Sequence, residues 1–189
     1  MSRPAASEAR TLAILVDNEP GVLARVVGLF SARGYNIESL TVAETDTDAH
    51  TSRITVVTRG EPATIDQIKA QLDRIVSVRQ VIDVTLDPAG VLRELALVKV
   101  RSAGQDRIEA LRVAEIFRAK VIDTTLESFI FEVTGASEKI DAFIDLMRPI
   151  GLVEISRTGV LSIHRGPETD RLPGGAANAA PVQASLTSA

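Results

Sequence analysis

The sequence contains no cysteine, which excludes disulfide bonds, thiolate metal sites and a cysteine nucleophile. Aromatic residues make up only 3% of the chain, so any core must be built from valine, isoleucine, leucine and alanine. His50 and His164 have no neighbouring cysteine or histidine with which to form a metal site. No serine lies in a nucleophile-elbow motif, so the sequence offers no recognisable catalytic constellation.

Basic residues are not concentrated anywhere along the chain. The formal net charge of −4 is spread over both halves without a basic block, which argues against a dedicated nucleic-acid binder. No apolar run approaches the roughly 18 residues of a membrane span, and residues 1–10 lack the apolar segment of a secretory signal. We therefore expect a cytoplasmic protein that binds neither nucleic acid nor membrane.

The 189 residues are enough for one large domain or two small ones, and the first half alternates between strand and helix patterns. An apolar run at residues 12–16 predicts a buried strand. Pro20 suits the first turn of the helix that follows, because its missing N–H has no partner there. Gly34 stands where a helix C-terminal glycine belongs. Helical spacing predicts one buried helix face, formed by Val22, Leu23, Val26, Val27 and Phe30.

Two strands, a second helix and a final strand complete this half. Strands are predicted at residues 37–42 and 53–58, on either side of a polar hairpin loop at residues 44–50. A second amphipathic helix follows, with a strand after it at residues 78–86. The apolar positions of this second helix are Ile65, Ile68 and Leu72. The resulting β-α-β-β-α-β order is that of the ferredoxin-like unit, an antiparallel sheet with both helices on one face.

The second half repeats this order after a turn-prone stretch at residues 87–90. Strands are predicted at residues 95–100, 120–124 and 128–134, with the last strand or strands within 152–156 and 160–164. Ile108, Leu111 and Phe117 predict one helix; Ile140, Phe143, Ile144 and Met147 predict another, closed by Pro149 and Gly151.

We therefore predict an α+β fold of two tandem ferredoxin-like βαββαβ domains. The domains cover residues 11–86 and 93–166, and a linker at residues 87–92 joins them. Residues 1–10 are predicted to be a disordered lead-in. Residues 167–189 are rich in glycine, alanine and polar residues and cannot bury enough apolar surface to offset chain entropy, so a disordered tail is predicted there.

Two turns of the first domain, at residues 17–23 and 33–37, hold the side chains best suited to a small zwitterionic ligand. The N-terminus of a helix favours a carboxylate, and Gly21 lets a ligand approach that backbone closely. The Asn18 side-chain oxygen can accept a hydrogen bond from an ammonium group. Asn36 lies at the other end of the helix and reaches the same ligand only if two such units pair side by side. On these residues alone, the stretch from Asn18 to Gly21 is more simply explained as an ordinary helix cap and turn.

Apolar side chains next to these polar groups suggest the kind of ligand. Val22, Leu23 and Ile37 would line an apolar pocket. An amino acid with a small aliphatic side chain fits this combination of groups.

Two longer segments carry a family resemblance. Residues 11–30 contain Asp17, Asn18, Glu19 and Gly21 in an Asp-Asn-Glu-x-Gly motif, and residues 33–42 contain a Gly-Tyr-Asn-Ile motif. Together they resemble the regulatory (small) subunit of acetohydroxyacid synthase, also called acetolactate synthase. Shorter matches at residues 52–55, 93–97, 129–135 and 157–159 extend the resemblance over about residues 10–166.

The resemblance implies an N-terminal ACT domain, which pairs in a homodimer and binds L-valine at the interface, followed by a ferredoxin-like C-terminal domain. It implies a non-catalytic subunit that activates a separate large catalytic subunit and passes valine feedback inhibition to it. Thiamine diphosphate, Mg and FAD would belong to that catalytic partner, with no cofactor and no metal in this chain. The pathway implied is the biosynthesis of valine, isoleucine and leucine.

The resemblance also assigns site residues. Asn18 and Gly21 match one side of the effector site, with Glu19, Pro20, Val22 and Leu23 beside them, and Asn36 and Ile37 match the side contributed across the interface. The second half has no Asn-x-x-Gly turn at the corresponding residues 103–106, so only the first half is expected to bind effector.

Two other functions remain open. A freestanding ACT-domain sensor would regulate another enzyme or a transcription factor. A small acyl-phosphate hydrolase on the same fold needs an arginine-bearing phosphate loop after the first strand, where this chain is acidic from Asp17 to Glu19.

Overall fold

The computed structural model describes residues 7–46 and 50–165. The first unit contains β1 (Glu8–Asp17), α1 (Val22–Ala32), β2 (Ile37–Asp46), β3 (Thr51–Gly60), α2 (Pro62–Leu72) and β4 (Val78–Asp83). The second contains β5 (Gly90–Arg101), α3 (Gly104–Phe117), β6 (Lys120–Thr124), β7 (Ser128–Gly135), α4 (Ser137–Gly151) and β8 (Leu152–Arg157), with β9 (Leu161–His164) after it. The predicted α+β fold of two βαββαβ units is confirmed.

The two sheets share one strand order. The first sheet runs β2-β3-β1-β4 and the second runs β6-β7-β5-β8, with antiparallel neighbours throughout. The start of β5 leaves the second sheet and pairs with β9 instead, from Gly90 opposite His164 to Arg93 opposite Leu161. This β5–β9 ribbon connects the two units.

Each unit has its own apolar core between its sheet and its two helices. The first core contains the buried residues Leu12, Ile14, Val16, Val22, Val26, Phe30, Ile54, Val56, Ile65, Ile68 and Leu72. In the second, the predicted face of α4 packs on alternate residues of β5 and β7. The two clusters are separate, so neither core extends from one unit into the other. Within the described residues, no helix is both long enough and apolar enough to cross a bilayer.

Helix α3 buries a different face from the predicted one. Ile108 is 46% exposed and Leu111 is 42% exposed, and the helix packs through Ala110, Val113 and Ala114. Ile108 and Phe117 stand nine positions apart, about two and a half helical turns, which places them on opposite faces. The buried face carries mainly small side chains and was therefore a weak signal.

Several predicted boundaries shift because of strand pairing. β1 begins at Glu8, within the predicted lead-in, since Glu8 to Arg10 pair with the end of β3. β5 begins at Gly90, within the predicted linker, because its first residues pair with β9. The predicted strand at 78–86 ends at Asp83, and a 3-10 turn follows. Pro149 lies inside the last turn of α4. Residues 1–6, residues 47–49 of the predicted hairpin loop and the predicted tail at 167–189 lie outside the described residues.

Candidate effector site

A type II turn connects β1 to α1. The Val22 N–H donates to the Glu19 carbonyl over 3.3 Å, and Gly21 has φ 84° and ψ −3°, the values of the third position of that turn. Pro20 occupies the second position, which suits its fixed φ. It therefore precedes the helix, whereas the sequence placed it in the first turn. A Cβ at Gly21 meets nothing within 4 Å, so the space beside this turn is open.

The N-terminus of α1 carries no side-chain cap. Gly21 is the N-cap residue and no side chain hydrogen-bonds to the first turn. The Arg25 N–H donates to the Gly21 carbonyl over 3.0 Å, while the N–H groups of Leu23 and Ala24 find no acceptor among the described residues. The explanation of Asn18 as a helix cap is therefore wrong. Free N–H groups and the positive end of the helix dipole make this turn attractive to an anion.

Asn18 lies between the end of β1 and the turn. Its backbone N–H donates to the His50 carbonyl over 2.7 Å, which fixes the position of the residue. The residue is exposed, and its side-chain amide has no hydrogen-bonding partner in residues 7–46 and 50–165. The amide is free to bind a ligand beside the open helix N-terminus.

A serine that the sequence did not indicate holds the turn in place. Ser77 is 2% exposed, and its carbonyl accepts the Asp17 N–H over 2.8 Å. The Ser77 hydroxyl donates to Glu19 Oε2 and accepts from Arg25 Nη1, both over 3.0 Å. The Glu19 carboxylate therefore ties the turn to the loop before β4. Ser77 is 58 positions from Glu19, so no local pattern points to this contact.

Replacing Ser77 by alanine should lower the free energy of unfolding by about 2 kcal/mol, because two partners lose their hydrogen bonds in a partly buried place. Urea denaturation would measure this change. The exposed Ser31→Ala on α1 is the matched control and should change the free energy of unfolding by less than about 0.5 kcal/mol. Equal midpoints for the two variants would contradict this role for Ser77.

The second predicted turn follows the other end of α1. The Tyr35 N–H donates to the Phe30 carbonyl over 2.9 Å and the Gly34 N–H to the Ser31 carbonyl over 3.2 Å, the two bonds of a Schellman motif. The Asn36 carbonyl accepts a 2.6 Å hydrogen bond from the Thr58 hydroxyl. Within the described residues, the Asn36 side-chain amide makes no hydrogen bond.

One chain brings together only half of the predicted site. Helix α1 has 11 residues, so about 16 Å separates the turn at its start from the turn at its end. Asn18, Glu19, Pro20, Gly21 and Leu23 gather on the exposed side of the first turn, whereas Asn36 and Ile37 lie beyond the far end. Val22 is 6% exposed and packs in the first core, so it supports the turn and does not line an open pocket. Ile37 also packs against that core.

The strand that carries Ile37 is the edge of the first sheet. β2 pairs with β3 on one side only within the described sheet, and Val42 on this strand is exposed. An edge strand offers unpaired N–H and C=O groups to another chain.

Arg157 in the second unit is fully engaged by carboxylates. Its Nε and Nη2 each donate to Glu94 over 2.7 Å, and its Nη1 donates to Asp141 over 2.6 Å. The Ser137 hydroxyl also donates to Glu94 over 3.1 Å. Burial raises the pKa of Glu94, but the hydrogen bonds and charge of Arg157 outweigh it and hold that pKa below its ordinary value. This cluster fixes the end of β8.

The chain matches family models over both units. Residues 12–80 match the model described as the AHAS small subunit-like ACT domain, and residues 93–166 match the model described as the small subunit of acetolactate synthase.

Named relatives match over nearly their whole length. The chain is 46% identical to the probable acetolactate synthase small subunit of Archaeoglobus fulgidus over 156 residues, 82% of this chain and 96% of that protein. It is 44% identical to the acetolactate synthase isozyme 3 small subunit of Salmonella typhimurium over 163 residues, 86% of this chain and 99% of that protein. The crystal structure of the acetolactate synthase small subunit from Thermotoga maritima superimposes with a TM-score of 0.75 at 40% identity, covering 84% of this chain and 98% of that one.

Proposed function

Because the chain belongs to the family of acetolactate synthase small subunits, whose role is regulatory and not catalytic, we propose that it activates a separate large catalytic subunit and confers valine inhibition on it. The complex would act in the cytoplasm, in the biosynthesis of valine, isoleucine and leucine. Thiamine diphosphate, Mg²⁺ and FAD belong, in this proposal, to the large subunit. The observation that carries the proposal is the uncapped N-terminus of α1, with the free Asn18 amide beside it.

The groups of this turn match the parts of an aliphatic amino acid. The N–H groups of Leu23 and Ala24 donate hydrogen bonds to the carboxylate, in the way that helix N-termini bind anions. The Asn18 side-chain oxygen accepts a hydrogen bond from the ammonium group. The exposed Leu23 side chain provides an apolar contact for a short branched side chain. L-Valine carries all three groups.

Two copies paired through their ACT domains complete the site. A two-fold axis beside β2 runs the two α1 helices antiparallel, so the start of one lies beside the end of the other. Asn36 and Ile37 of a second copy then reach the ligand held by Asn18 and Gly21. Valine inhibits by favouring one arrangement of the complex over another, a difference in affinity that is typically about 1–3 kcal/mol.

Co-elution and calorimetry test this function against that of a freestanding sensor. The purified chain should elute as a dimer, bind L-valine, and co-elute with the acetolactate synthase large subunit of the same organism on size exclusion. Valine binding without co-elution would favour the freestanding sensor. Absence of valine binding would contradict the proposed effector, and parallel titrations with leucine and isoleucine would show whether another branched-chain amino acid takes its place.

A further inference from the structure

The second unit holds β2 at two side chains. The Val160 N–H donates to the Ser39 hydroxyl over 3.3 Å, and the Thr41 hydroxyl donates to the Val160 carbonyl over 3.2 Å. Both bonds are partly buried and join residues 121 and 119 positions apart. We call these contacts, between residues 158–160 and the side chains of Ser39 and Thr41, the β2 clamp.

Gly159 allows this close approach. It has φ 81°, and a Cβ built on it would overlap the Ser39 hydroxyl and lie 3.1 Å from Thr41 Cγ2. Any side chain at position 159 therefore pushes β2 and the second unit apart. Its positive φ also strains every residue other than glycine.

The residues of the clamp are fixed to the second unit. The Thr158 N–H donates to the Leu95 carbonyl over 3.0 Å, and the Thr158 hydroxyl accepts the Leu95 N–H over 3.1 Å. Arg157, one position earlier, is held by Glu94 and Asp141. A displacement of β2 therefore also displaces β5 and β8, and a displacement of β5 or β8 displaces β2.

On β2, the clamp residue Ser39 lies close in sequence to the predicted effector-site residues. Asn36 and Ile37 stand three and two positions before Ser39, and an irregularity between Ile37 and Ser39 shifts the register with β3 at this point. The apolar cores of the two units are separate, and a cleft of about 700 Å³ opens beside the clamp. The clamp on β2, together with Arg53 of β3, whose Nη2 donates to Ser162 Oγ over 3.2 Å, joins the first sheet to the second unit by polar contacts.

We propose that the β2 clamp positions Asn36 and Ile37 for effector binding, so that the second unit, which makes no contact with the ligand, is needed for full effector affinity. This inference rests on the proposed binding of valine between two ACT domains. Because linkage is reciprocal, valine binding also stabilises the clamp, which gives the effector a direct route into the second unit.

The test compares two glycines of the second unit by calorimetry with L-valine. Gly159→Ala should weaken valine binding about tenfold, because its Cβ displaces β2. Gly104→Ala is the matched control: Gly104 also has positive φ, 56°, but a Cβ there meets nothing within 4 Å. The control should bind valine within about twofold of the wild type.

A second substitution separates the clamp from simple loss of structure. Combining Gly159→Ala with Ser39→Ala removes the hydroxyl that the new Cβ would strike. The double variant should therefore bind valine several-fold more tightly than Gly159→Ala alone, a non-additive recovery that general destabilisation does not produce. If Gly159→Ala fails to fold, Thr41→Val keeps the strand shape, removes one clamp bond and should weaken valine binding about threefold.

The possible outcomes separate this inference from the proposed function. Wild-type protein that does not bind valine would contradict the proposed effector. Wild-type binding together with unchanged affinity in Gly159→Ala, or in Thr41→Val if the former does not fold, would overturn the role of the clamp. A double variant no better than Gly159→Ala would overturn it equally. Slower exchange of the Val160 amide hydrogen on addition of valine to the wild type is expected, and unchanged exchange would count against the linkage.

Discussion

Replacing Asn18 by alanine should weaken L-valine binding by about a hundredfold, or about 2.8 kcal/mol, while leaving the unfolding midpoint unchanged. Hydrogen bonds to charged groups contribute about 1.5–3 kcal/mol each, and the Asn18 amide is proposed to bind the ammonium group directly. The same amide has no hydrogen-bonding partner among residues 7–46 and 50–165, so its removal costs the fold little. Calorimetry with valine and urea denaturation together measure both parts of this expectation.

The start of α2 offers the matched control. Glu61 is the N-cap residue of that helix and makes no side-chain cap hydrogen bond, so Glu61→Ala changes a comparable exposed position in the same domain. It should leave both valine affinity and stability unchanged. Unchanged valine affinity in Asn18→Ala would refute the site assignment.

The shared site predicts recovery on mixing two defective variants. Asn36→Ala should also weaken valine binding, and a dimer of one Asn18→Ala chain with one Asn36→Ala chain contains one intact site and one site lacking both amides. Denaturing and refolding the two variants together should therefore restore tight binding in a fraction of the sites. If neither variant recovers binding in the mixture, the two asparagines do not act on the same ligand across a dimer interface.

The second large effect concerns the carboxylate cluster of the second unit. Arg157→Ala should lower the free energy of unfolding by about 3 kcal/mol, because it leaves the Glu94 carboxylate buried without its charge partner. The Glu94 side chain is 4% exposed and that of Arg157 is 35% exposed, so water entering from the arginine side keeps the cost at the lower end of the range for such pairs. Urea denaturation at neutral pH measures this cost.

The pH dependence identifies the carboxylate as the cause. In the wild type the pKa of Glu94 is held below its ordinary value. The ion pair therefore stabilises the fold at every pH above that ordinary pKa, and this stabilisation is lost as the pH falls through the lowered pKa. Without Arg157, burial dominates and raises the pKa, so protonation relieves the cost in the variant. The difference in stability between the two proteins should therefore shrink between about pH 7 and about pH 4.

An exposed arginine provides the control for this prediction. Arg148 pairs with Asp145 over 3.1 Å, with both side chains largely exposed, and Arg148→Ala should cost less than about 1 kcal/mol at any of these pH values. A cost for Arg157→Ala as small as that for Arg148→Ala would show that the cluster contributes little. Adding Glu94→Gln to Arg157→Ala should recover part of the loss, because the uncompensated charge is then gone.

The parts of the fold that were predictable from the sequence are those with a local signature. Helix α4 carries four apolar residues at i, i+3, i+4 and i+7, and all four are buried. The C-terminal glycine of α1 is equally local, since the Schellman bonds join residues within one turn. The repeated β-α-β-β-α-β order then follows from spacing and turns alone.

The parts that escaped prediction depend on contacts between distant residues. Ser77 contacts the first turn from 58 positions away and Arg157 contacts Glu94 from 63 positions away. No local pattern indicates either contact. Gly159 resembles any other turn glycine in sequence, and only its approach to Ser39 shows why a side chain does not fit. In helix α3 the prediction was correct for Phe117, which packs against the second core, and wrong for Ile108 and Leu111, which lie on the exposed face.

In the candidate site, too, some features were predictable from the sequence and others only from the structure. The Asn-x-x-Gly turn was recognisable because it stands directly between a strand and a helix, and the structure adds that its glycine completes a type II turn. The length of α1 showed that Asn18 and Asn36 do not meet in one chain. The sequence did not distinguish residues that face a ligand from those that support the turn, and Val22 and Glu19 fall in the second group.

Mixing this chain with the acetolactate synthase large subunit of the same organism tests the regulatory role most directly. The rate of acetolactate formation by the large subunit should rise when the chain is added, and L-valine should lower that rate only when the chain is present. Asn18→Ala should retain the activation and lose the valine inhibition. A rate that stays the same on mixing, or acetolactate formation by this chain alone, would contradict the regulatory role.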